Sequence, residues 1–180
     1  MKKAIFIFSL VIIAIILFEN FSTENKYIES IKVGGTEIFL KKDGSDFYLV
    51  KNKSFFNKAQ LKLSGFENEV LFCPDFSTLK LNDDVVCLTG FVGAHSQNLQ
   101  LVSIKDGDLG TVSFLTNGGN EAENIMSDLP KMRVIDYNED GKDDIMVYNR
   151  NYDKDPLANS IVGTFEYEEG KYKFVEEREI

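Results

Sequence analysis

Histidine and cysteine are scarce in this sequence, and their scarcity limits the kinds of site that the chain can build. One histidine and two cysteines occur in 180 residues. The cysteines, Cys73 and Cys87, lie fourteen positions apart, and with a single histidine they do not make a zinc site. A glycine-rich loop followed by Lys and Ser or Thr is also missing, which argues against a site for nucleotide phosphates.

Clusters of basic residues are lacking as well. The chain carries 20 Lys and Arg against 29 Asp and Glu, for a net charge of −9. Sixteen of the acids and eight of the bases fall in residues 120–180. This balance argues against nucleic acid as a partner, because phosphates are bound by groups of Lys and Arg. It suits a C-terminal part that binds cations, although a plain solvated acidic face explains the excess outside the loop discussed below equally well.

Helical periodicity is the third absence. Outside the first residues, no sustained i, i+3, i+4, i+7 pattern of apolar side chains is present. Short β-branched and aromatic runs are instead separated by Gly, Asn and Asp, which indicates an all-β protein of about ten short strands built from hairpins. Three hairpin turns are predicted at Lys42–Asp46, Lys105–Gly110 and Glu168–Lys171.

Other stretches carry weaker expectations. The mostly polar residues 21–30 predict a short tether, and Thr78 to Leu81 predicts a short strand. The stretch from Asn117 to Leu129 predicts little regular structure beyond one helical turn. The runs that end at Cys73 and surround Cys87 could pair as strands, so the cysteines form either a cross-strand disulfide or two buried thiols.

The N-terminus is the one long apolar run. Lys2 and Lys3 precede fifteen residues from Ala4 to Phe18 without a charge. This length suits the hydrophobic part of an export signal and is short of the ~20 residues of a membrane span. We therefore expect an export helix in residues 1–26, a β-domain in residues 27–180, and an extracytoplasmic location: secreted, periplasmic or membrane-anchored. Cleavage of the segment and its retention as a short anchor both remain open, and membrane contact is expected only through it.

One acidic stretch carries most of the chemistry. Asp136, Asn138 and Asp140 lie at alternate positions, Gly141 follows, and Asp144 comes three residues later. Short oxygen-bearing side chains at every second residue, followed by a residue free to turn, let one loop surround a hard cation. Ca²⁺ fits best because it accepts six to eight oxygens in a tolerant geometry. The alternative is an acidic, solvated β-turn without a metal.

The flanks of this stretch do not fit an EF-hand. The twelfth position counted from Asp136 is Val147, which cannot ligate, and both flanks are rich in β-branched residues typical of strands. The residues Asp136, Asn138, Asp140, Gly141 and Asp144 resemble the Asp-x-Asn-x-Asp-Gly-x-x-Asp loops of FG-GAP/VCBS repeats, as in integrin α-chain propellers. The resemblance covers about one repeat.

That resemblance implies a ligand set and a fold. The metal ligands would be Asp136, Asn138, Asp140, the backbone carbonyl of Lys142, and Asp144. Because residues 27–180 are too few for a closed propeller, we expect two or three antiparallel, propeller-blade-like sheets packed face to face.

Two functions remain open. The first is a non-catalytic binding or adhesion module for a protein or glycan, in which Ca²⁺ orders the loop and partners bind neighbouring loops such as Asn149–Asn159. The second is a small envelope hydrolase or enzyme inhibitor with a site near His95 and Asp75. His95 fits a hydrogen-bonded turn better than a catalytic group, since the serine beside it lacks a G-x-S-x-G context. No catalytic residue is therefore assigned.

Overall fold

The structure is a computed structural model that describes residues 26–54, 57–73, 84–93, 95–129, 132–154 and 160–180. Within these ranges the regular structure consists of fifteen β-strands and no helix. No helix in the described ranges is long and apolar enough to cross a membrane. The predicted export helix and the strand at 78–81 lie outside the described residues.

The first sheet is a four-stranded antiparallel meander. Its strands follow one another in chain order: β1 (Lys26–Val33), β2 (Thr36–Asp43), β3 (Asp46–Ser54) and β4 (Asn57–Lys62). The turn between β2 and β3 falls at the predicted Asp-Gly position, where Gly44 adopts a φ of +61°. Glycine is the residue that reaches this left-handed region at least cost, which explains why the turn could be predicted.

The middle sheet has five strands around one long hairpin. They are β5 (Leu71–Phe72), β6 (Asp84–Val92), β7 (Ser96–Lys105), β8 (Asp108–Thr111) and β11 (Ile125–Ser127). The order is β11-β7-β6-β5, and β8 pairs with the other end of β7. The hairpin of β7 and β8 turns within the predicted stretch Lys105–Gly110.

The third sheet contains the C-terminal part of the chain. Its strands are β9 (Phe114–Leu115), β10 (Glu121–Ala122), β12 (Met132–Ile135), β13 (Asp144–Arg150), β14 (Ser160–Glu168) and β15 (Lys171–Glu179). The order is β10-β9-β15-β14-β13-β12. The pairs from β12 to β15 are antiparallel, whereas β15 and β9 run parallel.

Two apolar cores show that the sheets form a stack with the middle sheet at its centre. Val86 and Leu88 of β6 pack with Leu40 of the first sheet. Cys87, between them, packs instead with Ile145 and other residues of the third sheet. Because successive side chains of a strand point to opposite faces, β6 contributes to both cores. Its neighbour β7 is buried over five consecutive residues, as expected for a strand covered on both sides.

The two cysteines form a disulfide across β5 and β6. Cys73 and Cys87 are bonded, with their Cα atoms 5.3 Å apart. The Cys73 N–H also donates to the Cys87 carbonyl at 3.0 Å, which continues the register of the two strands. The sequence left a disulfide and two buried thiols open, and the structure shows the disulfide.

The all-β prediction is confirmed, since the described chain consists of antiparallel sheets apart from one short parallel pair. Two local expectations were wrong. Residues 26–30 of the predicted tether 21–30 belong to β1. The start of this edge strand is exposed, apolar Ile28 included, so it lacks the alternating apolar pattern that marks a strand in the sequence. The helical turn expected before Leu129 is replaced by the short strands β10 and β11.

Candidate metal centre

The acidic stretch is the connection between β12 and β13. These two strands pair antiparallel, and Ile135 and Asp144 form the last pair before the bend. Residues 136–143 therefore form a bend that begins and ends within one hairpin of the third sheet. The predicted strand–loop–strand arrangement is confirmed, and a helix–loop–helix hand is excluded at this position.

Three side chains of the bend accept hydrogen bonds from its own backbone. Asp136 Oδ2 accepts from the Gly141 N–H at 3.0 Å, and Asn138 Oδ1 accepts from the Asp140 N–H at 3.0 Å. Asp140 Oδ1 accepts from the Lys142 N–H at 2.9 Å. These bonds curl the backbone around the side chains and leave the second carboxylate oxygens of Asp136 and Asp140 outside the backbone bonding.

Gly141 is required by the backbone conformation and not by lack of space. Its φ is +87°, a region that residues with a Cβ rarely adopt, while a Cβ built there would meet nothing within 4 Å. Glu139 also has a positive φ, of +61°. The tight turn thus depends on two residues with positive φ, Glu139 and Gly141, separated by one residue.

Asp136 has an orphaned oxygen. Its Oδ1 is buried from solvent and has no hydrogen-bond partner, although its Oδ2 accepts from Gly141. A buried carboxylate oxygen without a donor is costly, because it has lost water and gained nothing in exchange. The atom is therefore suited to face a positive ligand.

Asp144 is the most deeply buried acid of the bend. Its side chain is 1% exposed, and its Oδ2 accepts from the Tyr137 N–H at 2.9 Å. Burial raises the pKa of this carboxyl above its usual value, while backbone N–H groups of Tyr137 and Asn138 oppose the shift. The Glu166 carboxylate, opposite it on β14, adds to the increase. A nearby cation would reverse the effect.

The predicted ligands share one bend but do not enclose a point. In the part of the chain that the structure describes, no group of three or more His, Cys, Asp or Glu side chains is arranged to hold a metal ion. The Lys142 Nζ lies 3.7 Å from Asp140 Oδ2, where it partly neutralises the acid. Asp136, Asn138 and Asp140 are thus gathered by backbone bonds, with Asp144 at the base of the bend.

A residue of the bend that the sequence did not single out is Tyr137. Its backbone N–H binds Asp144, and its hydroxyl donates to Glu176 Oε1 on β15 at 2.7 Å. The Arg178 guanidinium, also on β15, stands over its ring with Cζ 5.3 Å from the ring centroid. An aromatic residue between two predicted ligands, Asp136 and Asn138, was the only local signal, and β15 is about forty residues away in the chain.

The residues considered for a hydrolase or inhibitor site and for partner binding are His95, Asp75 and the loop after β13. His95 is exposed and directly precedes β7, consistent with a turn position, and Asp75 lies outside the described residues. The loop after β13 is held by Asn151, whose Nδ2 donates to Glu179 at 3.2 Å and whose Oδ1 accepts from the Asp153 N–H. Residues 155–159 of that loop lie outside the described ranges.

Comparison with known proteins assigns no family. No protein-family model matches the chain, no curated protein resembles it significantly, and no solved structure does so either. The class that the fold and the bend define is therefore coarse: an all-β protein of three stacked sheets with an acidic strand–loop–strand bend in the third sheet.

Proposed function

We propose that the chain is an exported, non-catalytic calcium-binding β-domain of the FG-GAP/VCBS type, in which Ca²⁺ orders the bend between β12 and β13. The observation that carries the proposal is the buried, partnerless Asp136 Oδ1 at the start of the bend. A carboxylate oxygen in this position is a natural ligand for a hard cation.

The remaining donors have the right chemistry. Asp140 and Asn138 each keep acceptor capacity beyond one backbone bond, and Asp144 is an acid whose ionised form is disfavoured by burial. The Lys142 carbonyl completes the proposed set. When bound, Ca²⁺ would supply the positive charge that lets several carboxylates share one short bend.

The sheets support a blade-like organisation. The first sheet and the strands β12 to β15 are each four-stranded antiparallel meanders, the arrangement found in propeller blades. Their faces pack against a central sheet, as neighbouring blades do. Three such sheets are fewer than the four blades that the smallest closed propellers contain, so we propose blade-like units without a closed ring.

The proposed role is binding of a protein or glycan outside the cytoplasm. A net charge of −9 disfavours nucleic acid, and a bound Ca²⁺ in this bend would be structural. Recognition would then fall on other loops, such as the one that begins at Asn151 at the far end of β13 and carries exposed Tyr152 and Asp153. Contact with a membrane is proposed only through the N-terminal apolar segment, if it is retained.

The proposal predicts a calcium-dependent melting temperature. Extracellular calcium modules often have a Kd of ~10⁻⁴ to 10⁻³ M. At one hundred times Kd, a bound ion stabilises the folded state by ~2.7 kcal/mol, which corresponds to an increase of about 5–10 °C for a chain of this size. Asp140→Ala should remove most of the increase, because it deletes a ligand from the exposed side of the bend.

The matched control is Asp153→Ala, which removes an exposed acid from the loop at the far end of β13 and should leave the calcium response intact. Isothermal titration calorimetry and thermal melts with Ca²⁺ or EDTA measure both variants. An unchanged melting temperature for the natural chain at 10 mM Ca²⁺ would contradict the proposal, as would an equal loss in both variants.

A further inference from the structure

Tyr137 is bonded in two directions, to the bend and to a strand that contributes no proposed ligand. Its N–H donates to Asp144 at the base of the bend, at 2.9 Å. Its hydroxyl donates to Glu176 at 2.7 Å and accepts from the Arg178 guanidinium at 3.3 Å. One residue therefore connects the candidate metal centre with the C-terminal half of β15.

The connection is more than a single surface contact. The Arg178 guanidinium also stacks over the Tyr137 ring, so the ring is held from its edge and from its face. The hydrogen bond to Glu176 raises the pKa of Tyr137, since the carboxylate stabilises the protonated hydroxyl. On β14, Thr164 pairs with Glu176 and Val162 pairs with Arg178, and both of these β14 residues are fully buried.

The strand end that receives these contacts is held by its pairing with β14 and, at Glu179, by Asn151 Nδ2 at 3.2 Å and Lys154 Nζ at 2.6 Å. The neighbour β9 pairs with β15 only at Tyr172 and Lys173. Beyond that point, residues 175–179 are exposed and, in the described part of the chain, pair only with β14. A segment paired on one side with most of its side chains in water is expected to open more easily than the rest of the sheet. The contacts of Tyr137 are thus a substantial part of what fixes it.

We propose that Tyr137 couples ion binding in the bend to the order of β15 from Glu176 to Arg178. The inference rests on the proposed calcium site. An ion that fixes the backbone from Asp136 to Asp144 fixes the Tyr137 N–H, and so the position from which its side chain reaches β15. Coupling is reciprocal, so contacts made on β15 also favour the ion-bound bend. A partner that binds this strand end would then bind in a calcium-dependent way.

The test removes the contacts of Tyr137 with β15 and keeps its backbone bond to Asp144. Tyr137→Phe keeps the backbone N–H and the ring but deletes the hydroxyl that reaches Glu176 and Arg178. We expect calcium affinity to fall by about two- to tenfold, the range set by one or two lost hydrogen bonds. Ca²⁺ should slow hydrogen exchange of amides 176–178 in the natural chain and protect them much less in the variant.

A second variant changes the residue on β15 that accepts from the Tyr137 hydroxyl. Glu176→Gln leaves the bend untouched, so a purely local role of Tyr137 predicts no change in calcium affinity. The amide keeps an acceptor for the Tyr137 hydroxyl and loses only the charge, so coupling predicts a smaller fall in affinity than Tyr137→Phe causes, and no further fall when both substitutions are combined. Tyr27→Phe, at a tyrosine of β1 that is 43% exposed and whose hydroxyl accepts from Lys58 Nζ at 3.5 Å, is the control and should change neither measurement.

The outcomes separate the two proposals. If calorimetry detects no Ca²⁺ binding by the natural chain, the calcium proposal fails and the coupling fails with it. If Ca²⁺ binds normally but neither Tyr137→Phe nor Glu176→Gln changes affinity or strand protection, only the coupling is overturned. Circular dichroism of each variant confirms that it is folded before either conclusion is drawn.

Discussion

The middle sheet and the bend from Asp136 to Asp144 are held in place by different kinds of interaction. The middle sheet has apolar side chains on both faces and a disulfide between β5 and β6. The bend has short backbone-to-side-chain hydrogen bonds, an orphaned carboxylate oxygen and a buried acid. The first region is stabilised by apolar burial and by the disulfide, whereas the second concentrates negative charge and depends on what neutralises it.

One small domain thus combines a middle sheet whose stability does not depend on ions, called the frame below, with a bend whose stability does. Conditions that change ions or pH act on charged groups and have little effect on burial of apolar surface. We therefore expect substitutions in the middle sheet to lower stability by the same amount with and without Ca²⁺. Substitutions in the bend should instead change the response to the ion.

The largest effect is expected from Leu101→Ala. Leu101 is fully buried in β7 and packs in the core between the middle and third sheets. Loss of its side chain leaves a cavity and should lower the free energy of unfolding by about 2–5 kcal/mol. Urea denaturation with Ca²⁺ and with EDTA measures the loss. The two media should give equal losses, and a loss confined to EDTA would break the proposed separation of the two regions.

Leu71→Ala is the matched control for that substitution. Leu71 lies in β5 of the same sheet, but 42% of its surface is exposed. Its truncation should cost about 1 kcal/mol or less, because little buried volume is removed. Equal losses at the two positions would mean that burial between the sheets is not what stabilises the frame.

Removal of the disulfide is expected to have the next largest effect. The bond closes a loop between residues fourteen positions apart. The double variant Cys73→Ala, Cys87→Ala should lose about 3 kcal/mol, chiefly because the unfolded chain becomes less restricted. Urea denaturation of the variant, compared with the natural chain under non-reducing conditions, tests this. A change in the calcium response of the variant would show that frame and bend are not independent.

Asp144→Asn is expected to have the smallest effect on stability, and the sign of this effect should differ between EDTA and Ca²⁺. The substitution keeps the shape and an acceptor for the Tyr137 N–H but removes the buried charge. Because the folded-state pKa of Asp144 is raised, the folded protein holds this proton more tightly than the unfolded chain does. Without Ca²⁺, stability therefore decreases as pH rises from the unfolded-state pKa through the folded one, and it stays lower above it.

The variant lacks that decrease, so at neutral pH in EDTA it should melt at a slightly higher temperature than the natural chain. In Ca²⁺ the order should reverse, since the charge that favours the ion is gone. Melting curves from pH 4 to pH 8, recorded in EDTA and in Ca²⁺, measure this reversal in the order of the two melting temperatures. A variant that melts lower in EDTA and keeps the full calcium response would contradict both the pKa argument and the role of Asp144.

Local signals in the sequence were sufficient for the hairpins. The turns at 43–46, 105–108 and 168–171 each contain a glycine or an acidic residue with positive φ, and each lies between runs of strand-forming residues. The strands around the bend were also predictable, because Ile145 to Tyr148 is a continuous buried run. Such features depend only on residues close together in the chain.

Features that depend on distant pairing were not predictable. The edge strand β1 is polar where it starts, so nothing local distinguishes it from a tether. The short strands β10 and β11 are defined by the strands they join and not by their own composition. Tyr137 could be located in the bend, but its contacts with Glu176 and Arg178 required the third sheet to be assembled.

The position of β15 has a consequence for how the chain assembles during synthesis. Phe114 of β9 lies beside Tyr172 of β15 in parallel, and the strand is flanked on its other side by β14. On a ribosome, the earlier residues of the third sheet must therefore wait for residues 171–173 before their edge is covered. The frame around the disulfide is encoded upstream and can form first. The third sheet, which carries the bend, is accordingly the last of the three to be completed.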